Sequence, residues 1–180
     1  MPLPTPALDA LRDSFPEEFR DTRLNIESVL ASEHLSPAQA FGVALASVRF
    51  LRATPLAAAI ESDLRAGLGE AADTIISDST AAAGLMAMNT VYYRFRHMVG
   101  KERYASRPPR LRMQRMAKPL TSHADFELMS LACAALAGCE YCIQNHEAKL
   151  VEQGTGEEAC HECVRIAAVM AAAACGLAPA

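Results

Sequence analysis

Alanine constrains the fold of this chain before any motif is considered. It occupies 35 of the 180 positions. Alanine is the best intrinsic helix former and a poor strand former. No segment sustains the apolar and polar alternation of a half-buried strand. The expectation is an all-α helical bundle with closely packed helices. A length of 180 residues is one domain, or at most two small halves.

Prolines, glycines and capping residues divide the chain. After a Pro-rich start, the first 15 residues turn helical. Pro16 opens a helix carrying Phe19, Leu24, Ile26 and Leu30. Ser36-Pro37 joins a capping serine to a proline at the first helical position, and starts a helix reaching about Ala53. Thr54-Pro55 ends it, and the next helix covers about 56–68. Residues 70–98 read as helical with a break near Gly84 or Asn89. Residues 101–122 read as a basic linker with a short helix over 111–117. Ser122 caps a helix over about 123–136, and Gly138 turns the chain. A helix follows over about 139–153. Gly154-Thr155-Gly156 makes a second turn, and a last helix runs from 157 to about 175. The domain thus divides into an N-terminal half (about 1–100), the linker, and a C-terminal half (about 123–180). A shift of 51 residues lays 87–91 over 138–142 and makes the halves related, with the cysteine pair in the second alone.

The net charge of −4 speaks against a general nucleic-acid binder, whose phosphate contacts need a strong basic excess. Met1-Pro2-Leu3-Pro4 lacks the basic start and apolar core of a secretion signal. The late apolar run over 166–177 is too short to span a bilayer. The expected location is a reducing cytoplasm. There a cysteine pair is catalytic or metal-binding more often than a structural staple.

The chemistry concentrates in Glu127, Cys139, Cys142 and His146. Cys139-Glu140-Tyr141-Cys142 opens a helix just after Gly138. The free N–H groups and positive dipole end there lower a thiol's pKa. Cys139 is expected to be exposed in that first turn. His146 follows Cys142 by four residues, so both project from one helix face. Its imidazole can accept the thiol proton. If the flanking helices form an antiparallel hairpin, a rise of ~1.5 Å per residue brings Glu127 level with His146. A carboxylate holding a histidine that serves a thiol is the logic of an activated nucleophile.

A rival uses the same residues. Cys139, Cys142, Cys160 and Cys163 have the spacing of a four-cysteine zinc site. Zinc pairs usually sit in short turns, whereas both pairs here read as helical, with Cys160 and Cys163 half buried. Cys133 and Cys175 lie in Ala-rich helix faces and read as small core residues.

The spacing Glu127-x11-Cys139-x2-Cys142-x3-His146 resembles the alkylhydroperoxidase AhpD family, within the carboxymuconolactone decarboxylase-like superfamily. The likeness extends to Leu24-Asn25-Ile26, to the segment from Met86 to Arg94, and to Leu111-Arg112-Met113. It covers about residues 20–175. The resemblance implies an AhpD-like bundle of two related halves, assembled as a homotrimer. It implies a peroxidase with no metal, haem or flavin. Cys142 would become a sulfenic acid. Cys139, the more accessible, would donate a proton and resolve it as a disulfide. Glu127 and His146 would relay protons. The reductant would be a dihydrolipoyl group on a 2-oxoacid dehydrogenase component, and a peroxiredoxin, AhpC, would be a further partner. The best-known members of that family carry His where this chain has Tyr141.

Residues 94–118 hold nine of the seventeen Lys and Arg against one acid, Glu102. That segment suits an acidic partner such as a lipoyl domain. The expected activity is reduction of alkyl hydroperoxides through a Cys139–Cys142 disulfide, with no nucleic-acid or membrane partner. The alternatives are a decarboxylase or lactone-processing enzyme, which has no use for the cysteine pair, and a zinc-stabilised helical protein.

Overall fold

The computed structural model describes residues 3–177, and these fold into helices and connecting turns. The helices are α1 (Pro6–Asp13), α2 (Arg20–Leu30), α3 (Pro37–Phe50), α4 (Thr54–Leu68), α5 (Ala72–Val99), α6 (Glu102–Ala105), α7 (Gln114–Ala117), α8 (His123–Leu136), α9 (Glu140–Glu152) and α10 (Glu157–Gly176). Single 3-10 turns precede α2 and α5.

Helices α3 and α8 form the centre. Nine successive residues of each, 40–48 and 126–134, are buried. Helices buried on all sides need small residues where backbones approach. A Cβ on Gly42 would lie 2.8 Å from Met129 Cε and 3.2 Å from Ile75 Cγ2. Helix α5 packs on both, α4 packs on α3, α9 on α8, and α10 on α2, α3 and α8. Helix α10 is long and apolar enough to cross a membrane by length and composition alone. Here one side of it, including Cys163, Ile166, Met170 and Ala173, is buried in the bundle.

The start signals of α3 and α8 are realised as capping boxes. Ser36 pairs with Gln39, and Ser122 with Asp125. Gln39 Nε2 then donates to Asp125 Oδ1 at 2.8 Å, so the two helices begin side by side.

Several expectations need correction. Helix α5 runs unbroken past Gly84 and Asn89. One glycine costs a helix only ~1 kcal/mol, and tertiary packing on one face overrides it. Gly84 sits on the exposed side. Thr54-Pro55 does not merely end a helix. It opens α4, because a proline in the first turn lacks only an N–H that would be unpaired anyway. The linker helix shrinks to α7, after Arg110 adopts a left-handed φ of 53°. The shift of 51 residues also fails, since it lays the interior of α5 over the turn before α9. The repeat lies elsewhere: the order α3, α4, α5 recurs as α8, α9, α10. The spacing between N-caps is the same in both, from Ser36 to Ala53 and from Ser122 to Cys139.

Asp78 of α5 holds the segment before α8 in place. Its buried carboxylate accepts from Arg115 Nε (2.5 Å), the Leu120 and Thr121 amides (2.8 and 2.7 Å) and Thr121 Oγ1 (2.8 Å). Burial alone pushes the carboxyl up. The Thr121 amide, Arg115 and the Thr121 hydroxyl outweigh that and hold it below the usual carboxylate value. Its stabilisation is therefore present above about pH 4 and lost as pH falls through the lower folded value. Asp78→Ala leaves Arg115 Nε, two amides and the Thr121 hydroxyl without their acceptor, while Arg115 Nη2 keeps Ser77 Oγ. The expected loss is about 2–4 kcal/mol by urea unfolding at neutral pH, from the donors left unsatisfied, shrinking toward acid pH.

Candidate active site

The site lies in the α8–α9 hairpin. Ala137 closes α8, and Gly138 takes a left-handed φ of 61° that reverses the chain. Arg94 Nη1 of α5 donates to the Ala137 carbonyl at 2.6 Å, fastening the turn. Cys139 is the N-cap of α9 in an extended conformation, and Cys142 lies on its first turn. The two form a disulfide with Cα atoms 5.3 Å apart.

The exposure expected for Cys139 is overturned. Cys139 is 0% exposed and Cys142 4%. The cause is the turn: Gly138 and the extended Cys139 backbone direct that sulfur inward, toward the helix face Cys142 occupies. A helix N-terminus exposes its amides, not necessarily its capping side chain.

The proton-bearing pair is where the hairpin argument puts it. His146 Nδ1 and Glu127 Oε2 are 2.5 Å apart, each side chain 8% exposed. With Nδ1 engaged by the carboxylate, Nε2 is left to serve another group. Sequence reasoning missed Lys149, whose Nζ donates to Glu127 Oε1 at 3.1 Å. The signal was available, because Lys149 follows His146 by three residues on the same helical face. Burial alone would raise the Glu127 carboxyl. The His146 hydrogen bond, with the charges of His146 and Lys149, holds it below the ordinary value.

The remaining cysteines stand apart. Cys160 and Cys163 lie on α10 and are fully buried, not half buried. Cys163 Sγ donates to the Leu128 carbonyl at 3.1 Å. Burial pushes the Cys133 and Cys163 thiols far up, and burial with Glu147 and Glu157 raises Cys160. Such thiols stay protonated and are poor nucleophiles. Among the described residues, no group of three or more His, Cys, Asp or Glu is placed to hold a metal ion. Cys133 is a core residue as expected, but Cys175 is exposed in the last turn of α10, while the neighbouring Ala173 faces the core.

Comparison with known proteins places the chain in a family. Residues 103–178 match the carboxymuconolactone decarboxylase family. The alkyl hydroperoxide reductase AhpD of Anaeromyxobacter dehalogenans is 52% identical over 95% of this chain and 90% of its own length. This chain belongs to the AhpD family. Other AhpD relatives include the Methylobacterium protein, 44% identical over 94% of this chain and 95% of its own. The Rhodopseudomonas palustris protein is 38% identical over 91% and 89%. The all-α architecture agrees with AhpD membership.

Tyr141, between the two cysteines, has aromatic neighbours on α5. Its ring stacks on Tyr93 of α5, with centroids 5.9 Å apart and planes within 18°. His97 lies 6.0 Å away on its other flank.

Proposed function

We propose that this chain is a cysteine-based alkyl hydroperoxide reductase. The observation that carries the reading is a joined Cys139–Cys142 pair one helical turn from a buried Glu127–His146 pair, in a chain matching AhpD relatives over nine-tenths of their length.

Cys142 as thiolate attacks the outer oxygen of the hydroperoxide. The S–O bond forms, the O–O bond breaks, and the alkoxide takes a proton to leave as alcohol. Cys142 is then a sulfenic acid. The Cys139 sulfur attacks it, an S–S bond forms, and the hydroxide leaves as water. A dithiol reopens the disulfide by exchange and is itself oxidised to a disulfide. His146 accepts and returns the protons. Glu127 fixes its tautomer, and Lys149 helps keep that carboxylate ionised.

The reductant in this reading is a dihydrolipoyl group on a 2-oxoacid dehydrogenase component in the cytoplasm, with AhpC as a further electron acceptor. The nine cations of residues 94–118 favour docking of such an acidic carrier. A homotrimer fits the exposed apolar stripe Val91, Phe95 and Met98 on α5, spaced for one helical face.

The test is turnover of cumene hydroperoxide with dihydrolipoamide, with metal analysis of the same sample. One alcohol per dithiol oxidised is expected, with no stoichiometric zinc in protein purified under reducing conditions. Absence of turnover, or about one zinc per chain with unfolding on chelation, overturns the reading.

A further inference from the structure

Both sulfurs are buried, yet the residue between them is not. Tyr141 is 40% exposed and forms one wall of a cavity of about 400 Å³. Tyr93, Arg96, His97, Lys101 and Glu102 are among its other walls. The cavity is bounded by the last turns of α5, by α6 and by the first turn of α9. Its size is that of a small-molecule site, for which ~300–1,000 Å³ is typical.

The walls have two chemistries. The stacked faces of Tyr93 and Tyr141 offer a rigid apolar surface. Arg96 is braced, with its guanidinium donating to the Ala105 carbonyl and lying 5.6 and 5.8 Å over the Tyr92 and Tyr93 rings. An arginine carries five donors, so this bracing leaves others to face a ligand. Lys101 is exposed and has no ion pair among the described residues. Against them stand Glu102, and Glu140, whose carboxylate is 3.9 Å from His97 Nε2. Two cations beside an aromatic shelf suit an anion with an apolar body.

The position on α5 is also informative. At ~100° per residue, Tyr93, Arg96, His97 and Gly100 point opposite to Val91, Phe95 and Met98. Association through the apolar stripe leaves the cavity uncovered.

We propose that this cavity binds the carboxylate-bearing part of an organic hydroperoxide. The tyrosine faces take its apolar or aromatic body, Arg96 and Lys101 take the carboxylate, and the peroxide is held beside the first turn of α9, which carries Cys142. The chemistry of the bound molecule rests on the peroxidase reading; the anion site does not. In a lipoyl arm the carboxyl is tied up as a neutral amide to its carrier lysine, so the arm itself would gain nothing from the two cations.

The chain supplies its own probe. It has no Trp, and two of its four tyrosines, Tyr93 and Tyr141, wall the cavity, with Tyr92 edge-on against Tyr93. The Tyr93 and Tyr141 share of the tyrosine emission therefore reports on the cavity. Octanoate should change it saturably, and octanamide should bind about tenfold more weakly, as expected for one charge-assisted contact. In turnover, para-carboxycumene hydroperoxide should have a KM about tenfold below that of cumene hydroperoxide. Lys101→Glu should bring both ratios to near one or reverse them. Lys101→Ala, an exposed truncation that adds no charge, should move them the same way. Equal KM values in the parent protein, or ratios retained in both variants, overturn the inference. So does a saturable response to an acidic peptide with none to octanoate. A Lys101-dependent octanoate response without any peroxide turnover keeps the anion site and overturns the peroxidase reading instead.

Discussion

Cys142→Ser is expected to abolish peroxide reduction, whereas Cys139→Ser retains one oxidation event per chain. The asymmetry comes from α9. Cys142 lies four residues before His146 on the same face, while Cys139 is the N-cap outside the helix proper. In Cys139→Ser, the sulfenic acid on Cys142 has no thiol to resolve it, since Cys160 and Cys163 are buried on α10. A dimedone-type trap should label Cys142 in that variant, and hardly at all in the parent, where Cys139 captures it first. Mass mapping of the label decides the point. Label on Cys139 in Cys142→Ser, with Cys142 unlabelled in the other variant, would reverse the roles and make dithiol exchange the principal chemistry. Exposure offers no help in assigning these roles, because both sulfurs are enclosed in the oxidised form.

The next largest effect belongs to the proton pair. Glu127→Gln and His146→Phe should each slow peroxide consumption by about 10²–10⁴-fold at neutral pH. The double variant should be scarcely worse than the slower single, because the two act as one unit. Glu127 is held below its ordinary value, so in the parent it stays ionised through the neutral range. Its contribution to stability is present above about pH 4.3 and lost as pH falls through the lower folded value. Glu127→Gln should flatten that acid limb in a stability-against-pH series. Full rates in both single variants would overturn the relay.

Where local rules govern, the sequence was legible. Ser122 and Gly138 gave the span of α8 to the residue, and helical rise alone brought Glu127 level with His146. Several of the failures depended on what a segment packs against. Helix propensity has no term for the packing that carries α5 through Gly84. The inward aim of Cys139 is set by two backbone conformations at the turn. Cys160 and Cys163 read as half buried because nothing local reveals that α10 packs against four other helices. The Tyr93–Tyr141 stack joins residues far apart in sequence, and no spacing rule announces it. Lys149 is the exception, since its register with His146 was visible.

The repeated helix order has a consequence for what the chemistry demands of the frame. Five residues after its capping serine, α3 carries Phe41 where α8 carries Glu127. Helix α4 begins from Ala53 and carries Leu56 and Ile60, where α9 has Cys139, Cys142 and His146. Phe41, Leu56 and Ile60 are each at most 1% exposed. The molecule thus contains, beside its reactive hairpin, the same scaffold filled with hydrocarbon. Replacing a buried ion pair by well-packed apolar groups is often neutral or stabilising by ~1–4 kcal/mol. Glu127 and His146 are therefore a local concession in a frame whose other copy fills the same positions with apolar side chains. Mutational drift selected for stability alone would be free to erase them and leave a sturdier, silent bundle.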